Sequence, residues 1–422
     1  MRKLTEIFLL ELKALVRSKT LALLLVACVG WALVLPRVVR GDGTPEGLRE
    51  LSVHYSLGGV FVLLVVALLA SATGSVARER TAKRLQLTLV RPVRYFSIAL
   101  GKIFAHVAVG AIVLAAACGA LAVGTDFSLP CSHVLSPTLP SPREAATKIY
   151  ERLLADSETA KELKKTSKSV ALRILENRVI DQYQTIPTNQ TVRWTFDGLE
   201  DGAGDRAVRL RFSNQYAIRQ EAFGTFALGD RAGVVSNMTL SVLKVPLKPV
   251  SNAAAAAADF RTLSFANCGK TSLMLCPRKD IHLLVPADAF GWNLARGCVV
   301  LLAVLALVVS VGTFLSAALG RPVALFVAFV LLIVSEMCPS VVSRYPDGLE
   351  TDPIDHVGLC VTRVMASVTR SVSSLAPIEA LAKDERVEPA EALRFAAVGL
   401  CVVPLAFSLL AAVALPRKQD DD

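Results

Sequence analysis

The residues best suited to contacting another molecule lie in a basic stretch, 78–102, between two apolar segments. Glu79 is its one acidic residue. An excess of Lys and Arg beside membrane segments is typical of a cytoplasmic loop, so we expect this stretch in the cytoplasm. Its seven basic residues are Arg78, Arg80, Lys83, Arg84, Arg91, Arg94 and Lys102.

The same stretch carries a small apolar stripe. Ala82, Leu85 and Leu89 fall on one helical face at spacings of three and four. Charge alone would indicate only which side of the membrane the loop occupies. The leucine stripe, followed by Pro92-Val93, favours a helix that docks into a groove on a partner protein.

Other patterns that could carry chemistry are weak. Gly269-Lys270-Thr271 resembles the end of a phosphate-binding loop, but the glycine required five positions earlier is Ser264, so we predict a turn between strands. The five histidines are spread singly, and no spacing suggests a metal site or a Ser/His/Asp set. We therefore predict no catalytic residue, no metal and no cofactor in this chain.

Apolar segments of about 20 residues recur, which is long enough to cross a bilayer. The net charge of +10 would suit nucleic acid in a soluble protein, but here membrane orientation explains much of it, and we expect no nucleic-acid partner. Arg417-Lys418 after the last segment agrees with both termini in the cytoplasm. The six predicted spans are 20–35, 57–77, 103–123, 297–319, 323–337 and 395–415.

Two charged residues at span ends are candidates for a membrane pathway or an interface. Lys102 lies at the inner end of the third span, where snorkelling of its long side chain would also explain it. Glu336 lies at the outer end of the fifth span, where contact with interfacial water would explain it.

The sequence predicts a polytopic α-helical membrane protein with an extracytoplasmic α+β insert. Period-two alternation after Pro187 predicts short strands, hence a β-sandwich or jelly roll. The predicted divisions are an amphipathic interfacial helix at 1–19, spans one to three in 20–124, the exported domain at 125–288 (helical 142–184, β-sandwich 188–288), spans four and five in 289–343, an external loop with short or re-entrant helices at 344–391, and span six with a cytoplasmic tail at 392–422.

Cysteines are scattered along the chain. Cys131, Cys268 and Cys276 fall in the predicted exported domain, where an oxidising compartment would permit a disulfide among them. Spacing does not decide which two would pair. Cys28, Cys118, Cys298 and Cys401 lie within apolar spans, and we expect them to pack as small hydrophobic residues.

The N-terminal helix, the six spans and the loop after the second span together resemble the ABC-2 type permease family, the membrane subunits of certain ABC exporters. The family's loop commonly reads Glu-Arg, Gly-Thr-Leu, a Leu pair, Pro-Val-Ser-Arg and Gly-Lys. Lys83-Arg84 stand in place of Gly-Thr, the Ser is absent, and the large insert lies outside the minimal family pattern. The residues that fit are Glu79-Arg80, Leu85, Leu87, Leu89, Pro92-Val93, Arg94 and Gly101-Lys102.

The resemblance implies a permease of an ATP-driven exporter in the bacterial cytoplasmic (inner) membrane. It implies a second permease copy or a paralogue, and two copies of a separate cytoplasmic ATPase that binds ATP and Mg²⁺. The residues expected to couple this chain to the ATPase are Glu79, Arg80, Arg84, Leu85, Leu89, Pro92 and Arg94.

A second interpretation is a membrane-anchored binding or sensory protein whose exported domain recognises a glycan or a protein. Six spans with small internal loops exceed what an anchor needs, which favours the permease. The exported domain of a permease could gate export, dock a periplasmic protein or bind carbohydrate.

Overall fold

The computed structural model describes residues 2–38, 45–81, 94–124, 130–139, 141–155, 168–199, 206–213, 220–239, 242–249, 260–344, 358, 360 and 377–417. The chain divides into two compact units. One comprises Met1–Cys131 with Asp288–Asp422, and the other is Ser132–Ala287.

The first unit begins with five helices. They are α1 (Arg2–Val16), α2 (Lys19–Val38), α3 (Pro45–Ser52), α4 (Gly58–Thr81) and α5 (Tyr95–Gly124). A π-helical turn, Val53–Leu57, joins α3 to α4. Helical backbone therefore extends past both ends of the predicted second span.

The second unit holds two helices between its first and second strands, α6 (Pro142–Ala155) and α7 (Lys168–Gln184). A short helix, α8 (Pro277–Asp280), precedes the last strand. The strands are β1 (Pro130–Leu135), β2 (Thr185–Ile186), β3 (Thr191–Thr195), β4 (Arg206–Arg211), β5 (Glu221–Leu228), β6 (Arg231–Met238), β7 (Val242–Pro249), β8 (Thr262–Asn267), β9 (Leu273–Met274) and β10 (Ile281–Ala289).

Eight of these strands form one curled sheet in the order β1-β10-β4-β7-β6-β5-β8-β3, and β2 pairs with β9. Beyond β1, the Thr138 N–H donates to the Thr195 carbonyl on β3 over 2.8 Å, which brings the two ends of the sheet together. One face of the sheet buries Trp194, Phe226 and Phe265. The predicted β-rich region is confirmed in this form, as one curled sheet.

The first unit resumes with α9 (Phe290–Ala318), α10 (Arg321–Arg344), α11 (Pro377–Ala382), α12 (Pro389–Ala397) and α13 (Val403–Arg417). A second π-helical turn, Val398–Val402, links the last two. Two short helices thus lie within or beside the predicted external loop.

Within the described residues, four helical stretches are long and apolar enough to cross a membrane: Gly47–Arg80, Tyr95–Val123, Phe290–Ala318 and Pro389–Ala414. The chain is therefore a helical membrane protein with a β-rich region. The apolar parts of the other two predicted spans are shorter, Ala22–Val38 and Arg321–Val334.

The long helices α4, α5 and α9 meet at Gly110. A Cβ at this glycine would lie 3.1 Å from Leu68 Cδ1 and 3.3 Å from Leu305 Cδ1, so a larger residue would be tight unless the two leucine side chains shifted. The core around this contact includes Leu64, Val109 and Leu301, all buried. These helices carry the functional residues described next.

Candidate functional site

Close packing of α1 against α5 creates the first polar cluster. A Cβ at Gly101 would lie 2.9 Å from Ile7 Cγ2, so glycine at this position lets the two helices approach. Glu11 lies one turn after Ile7 on the same face of α1, and Lys102 follows Gly101. The close approach therefore brings a carboxylate and an ammonium group together.

Lys102 Nζ lies 2.8 Å from Glu11 Oε2 and 2.8 Å from Glu79 Oε1. Only 2 % of the Lys102 side chain is exposed, against 11 % for Glu11 and 27 % for Glu79. Burying one charge without partners would be very costly, and these paired charges compensate one another. The ion pairs join α1, α4 and α5.

This arrangement corrects the sequence-based explanation of Lys102. Snorkelling would leave the Lys102 ammonium in water, whereas the structure buries it between two carboxylates, whose charge-assisted hydrogen bonds replace its hydration. Glu79, which was expected to contact a partner protein, also contacts Lys102 within the chain, and 27 % of its side chain stays exposed, so the partner contact stays a prediction.

His106 extends the cluster by one turn of α5 and is fully buried. Its Nδ1 lies 2.8 Å from the Lys102 carbonyl, which can only accept, so Nδ1 carries a proton. Its Nε2 lies 3.1 Å from Ser71 Oγ on α4 and accepts a hydrogen bond from that hydroxyl. The imidazole thus ties α5 to α4.

The same end of α4 is also bonded to α9. Ser316 Oγ accepts from the backbone N–H groups of Val76 and Ala77 over 3.2 and 3.1 Å. These buried bonds add polar contacts to the apolar packing of α4 against α9. Polar contacts therefore link α1, α4, α5 and α9 near residue 79.

The other residues expected to contact a partner are only partly described. Arg80 lies in the last turn of α4, and Arg94 is exposed just before α5. Glu336 lies in α10, but its side chain is outside the described part. Outside the described residues as well are Arg84, Leu85, Leu89 and Pro92.

A second polar cluster lies at the opposite end of α9. Asn293, fully buried, donates from Nδ2 to the Glu385 carbonyl and accepts from the Val387 N–H, both over 2.7 Å. Arg49 pairs with Asp384 and lies over the Phe290 ring at 4.9 Å. These contacts hold the turn after α11 against the start of α9.

Asp288 lies beside this cluster, with its Oδ2 2.7 Å from Arg296 and 3.5 Å from Arg386. The Arg296 guanidinium beside it, assisted by the positive charge of Arg386, lowers the pKa of the Asp288 carboxyl below its usual value, although partial burial opposes the shift. Cys131 Sγ donates to the Asp288 carbonyl over 3.0 Å, and burial raises the pKa of this thiol.

Cys131, Cys268 and Cys276 are free thiols in this structure, and the disulfide that the sequence permits among them stays a prediction. Cys131 is buried against Asp288, whereas Cys268 is exposed in the bend after β8. The residues 269–271 lie in that same bend, held by the Asn267 side chain, which agrees with a turn between strands.

Sequence reasoning missed Glu11, Ser71 and Ser316. One signal was available for Glu11, since it interrupts the apolar face formed by Leu4, Phe8 and Leu15. An acid on an apolar helical face indicates a buried cation nearby. Serines within apolar spans carry no comparable signal, because they can bond to their own helix.

No family model, curated protein or solved structure matches this chain. Within the described residues, no group of three or more His, Cys, Asp or Glu side chains could hold a metal ion. The function must therefore be argued from the polar clusters and their positions on the helices.

Proposed function

We propose that this chain is the permease subunit of an ATP-driven exporter of the ABC-2 type. In this proposal six helices span the bacterial cytoplasmic membrane, both termini are cytoplasmic, and the curled sheet is an exported domain of the jelly-roll kind. Two permeases form the pathway, and two copies of a separate ATPase bind ATP and Mg²⁺.

The observation that carries the proposal is the Lys102 ion cluster. Glu79 lies three residues before the segment 82–93 and Lys102 nine residues after it, so their ion pair joins the two helices that flank this segment. Glu11 adds α1 to the same point. A force applied to this loop would then be passed to three helices together, as coupling to an ATPase requires.

The apolar stripe of the loop provides the docking surface in this proposal. Burying one leucine contributes roughly 1.5–3 kcal/mol, so losing two costs about 3–6 kcal/mol. Each 1.4 kcal/mol is a tenfold change in affinity. Leu85→Asp with Leu89→Asp should therefore weaken ATPase binding by roughly two to four tenfold steps, enough to abolish copurification.

The test is copurification of the tagged full-length chain with its ATPase, after checking that each variant inserts into the membrane. Leu87→Asp is the control, because a helical wheel of this segment places Leu87 opposite Leu85 and Leu89, and the substitution adds one of the two negative charges that the double variant adds. If the double variant inserts and still binds and stimulates the ATPase like the wild type, the proposal fails.

A membrane-anchored binding protein is the second candidate. It is favoured by the compactness of Ser132–Ala287, which has a hydrophobic core of its own, including Phe212 and Leu283. The same copurification distinguishes the two. A wild-type chain that associates with no ATPase, yet retains a ligand through its exported domain, would support the anchored binding protein.

A further inference from the structure

Two cysteines on neighbouring helices face one another in the membrane region. Cys118 Sγ on α5 and Cys298 Sγ on α9 lie 3.3 Å apart, and both side chains are partly buried. They are 180 residues apart in sequence, so only the packing of the two helices brings them together. A disulfide has an S–S length of about 2.05 Å, so the sulfurs need to approach by roughly 1.3 Å.

Helix packing sets the register of this pair. Gly110 on α5 faces Leu305 on α9, the close approach described above. Cys118 follows Gly110 by eight residues, and Cys298 precedes Leu305 by seven, as expected for antiparallel helices in contact. Residues seven or eight apart share a helical face, so both contacts belong to one continuous interface.

The pair lies close to one end of each helix. Cys118 precedes the end of α5 at Gly124 by six residues, and Cys298 follows the start of α9 at Phe290 by eight. At 1.5 Å per residue, these depths are about 9 Å and 12 Å. In the orientation proposed above, these ends face the oxidising side of the membrane, where disulfides persist.

We propose that Cys118 and Cys298 are a modification site, a disulfide that staples α5 to α9 across the outer part of the membrane region. The oxidant is a small-molecule disulfide. One cysteine thiolate attacks it and releases one small thiol, and the second thiolate then attacks the mixed disulfide and releases the other. Two electrons pass to the small disulfide, and the two protons of the cysteines are taken up by the released thiolates.

The test uses the full-length chain in its membrane, with the other seven cysteines replaced by alanine. A specific protease site is placed in the alanine run 253–258, between the two cysteines in sequence. Membranes are treated with a membrane-permeant aromatic disulfide, free thiols are blocked with an alkylating agent, and the protein is denatured and cleaved. We expect the two fragments to stay joined on a non-reducing gel and to separate after reduction.

The matched control moves one thiol by a single residue, in the variant Cys298→Val with Val299→Cys. One residue rotates the side chain by about 100° around the helix, away from Cys118. We expect linkage to be lost in this variant and in Cys298→Ser. Equal linkage in the displaced variant would indicate random collision and overturn the proposal, as would separate fragments from the inserted, oxidised parent chain.

Oxidation of the pair in the cell requires that it face the oxidising side of the membrane, and therefore rests on the proposed orientation. The added aromatic disulfide crosses the membrane, so linkage by this reagent does not depend on the orientation. A second arm isolates membranes without added oxidant, with alkylation at lysis. Linkage in this arm assigns the disulfide to the cell itself. If linkage forms only with the added disulfide, the pairing of Cys118 with Cys298 is supported and the proposed orientation is contradicted. Failure of the pairing and failure of the orientation therefore give different results.

Discussion

Lys102 Nζ on α5 and Glu11 Oε2 on α1 are 2.8 Å apart, and both residues are buried. The N-terminal helix is therefore joined to a membrane helix by a charge pair as well as by apolar contacts. A buried pair contributes modestly as a pair, but removing one partner leaves an uncompensated charge. This asymmetry makes the contact testable.

Lys102→Met should destabilise the first unit by about 3 kcal/mol, at the low end of the 3–5 kcal/mol for a broken buried pair, because Glu79 is partly exposed. The measurement is the thermal unfolding midpoint of the detergent-solubilised chain. Adding Glu11→Gln should recover part of the loss, since it removes one of the two unpaired carboxylates. Lys13→Met is the control, because Lys13 is exposed on α1. An equal shift in both single variants would contradict the role of the cluster.

Asn293→Leu should release the turn that follows α11. It would leave the Val387 N–H and the Glu385 carbonyl without their present partner, at a cost of about 1–3 kcal/mol for each buried polar group. Trypsin should then cut after Lys383 and Arg386 faster than in the wild type. Trp292→Leu changes the exposed neighbour and should leave the cleavage rate unaltered. Unchanged cleavage in Asn293→Leu would show that other contacts hold the turn.

Asp288 should make stability depend on pH in acid. Its arginine partners lower its pKa in the folded chain relative to the unfolded chain, where an aspartate has a pKa of about 3.9. The stabilisation is therefore complete above that unfolded value and is lost as the pH falls through the lower, folded pKa. Thermal midpoints measured from neutral pH downward should show a smaller acid-dependent decrease below about pH 4 in Asp288→Asn. Arg296→Met should reduce the acid-dependent decrease of the thermal midpoint in the same way. If both variants lose as much thermal stability in acid as the wild type does, Asp288 makes no such contribution.

Hydrophobic pattern alone predicted the long helices well. The predicted spans near 57–77, 103–123, 297–319 and 395–415 all fall on the four long apolar helices, because twenty consecutive apolar residues have few alternatives to a membrane helix. The number of spans, six, stays a prediction.

The period-two alternation of apolar and polar residues is visible in β3 and β4. The same pattern does not reveal β5. In β5 exposed and buried residues alternate along the whole strand, but two of its inward positions are Ala222 and Gly224, which give no apolar signal. Backbone pairing with β6 and β8 makes this segment a strand. The order of residue types does not reveal that pairing.

The sequence by itself determined that this chain enters a membrane and that 78–102 is basic, since both follow from composition over short segments. Only the tertiary structure decided the partners of Lys102, Asn293 and Cys118. Each contacts a residue between about 90 and 180 positions away. Such contacts depend on helix rotation and close approach, set by small residues such as Gly101 and Gly110, and no local pattern contains that information.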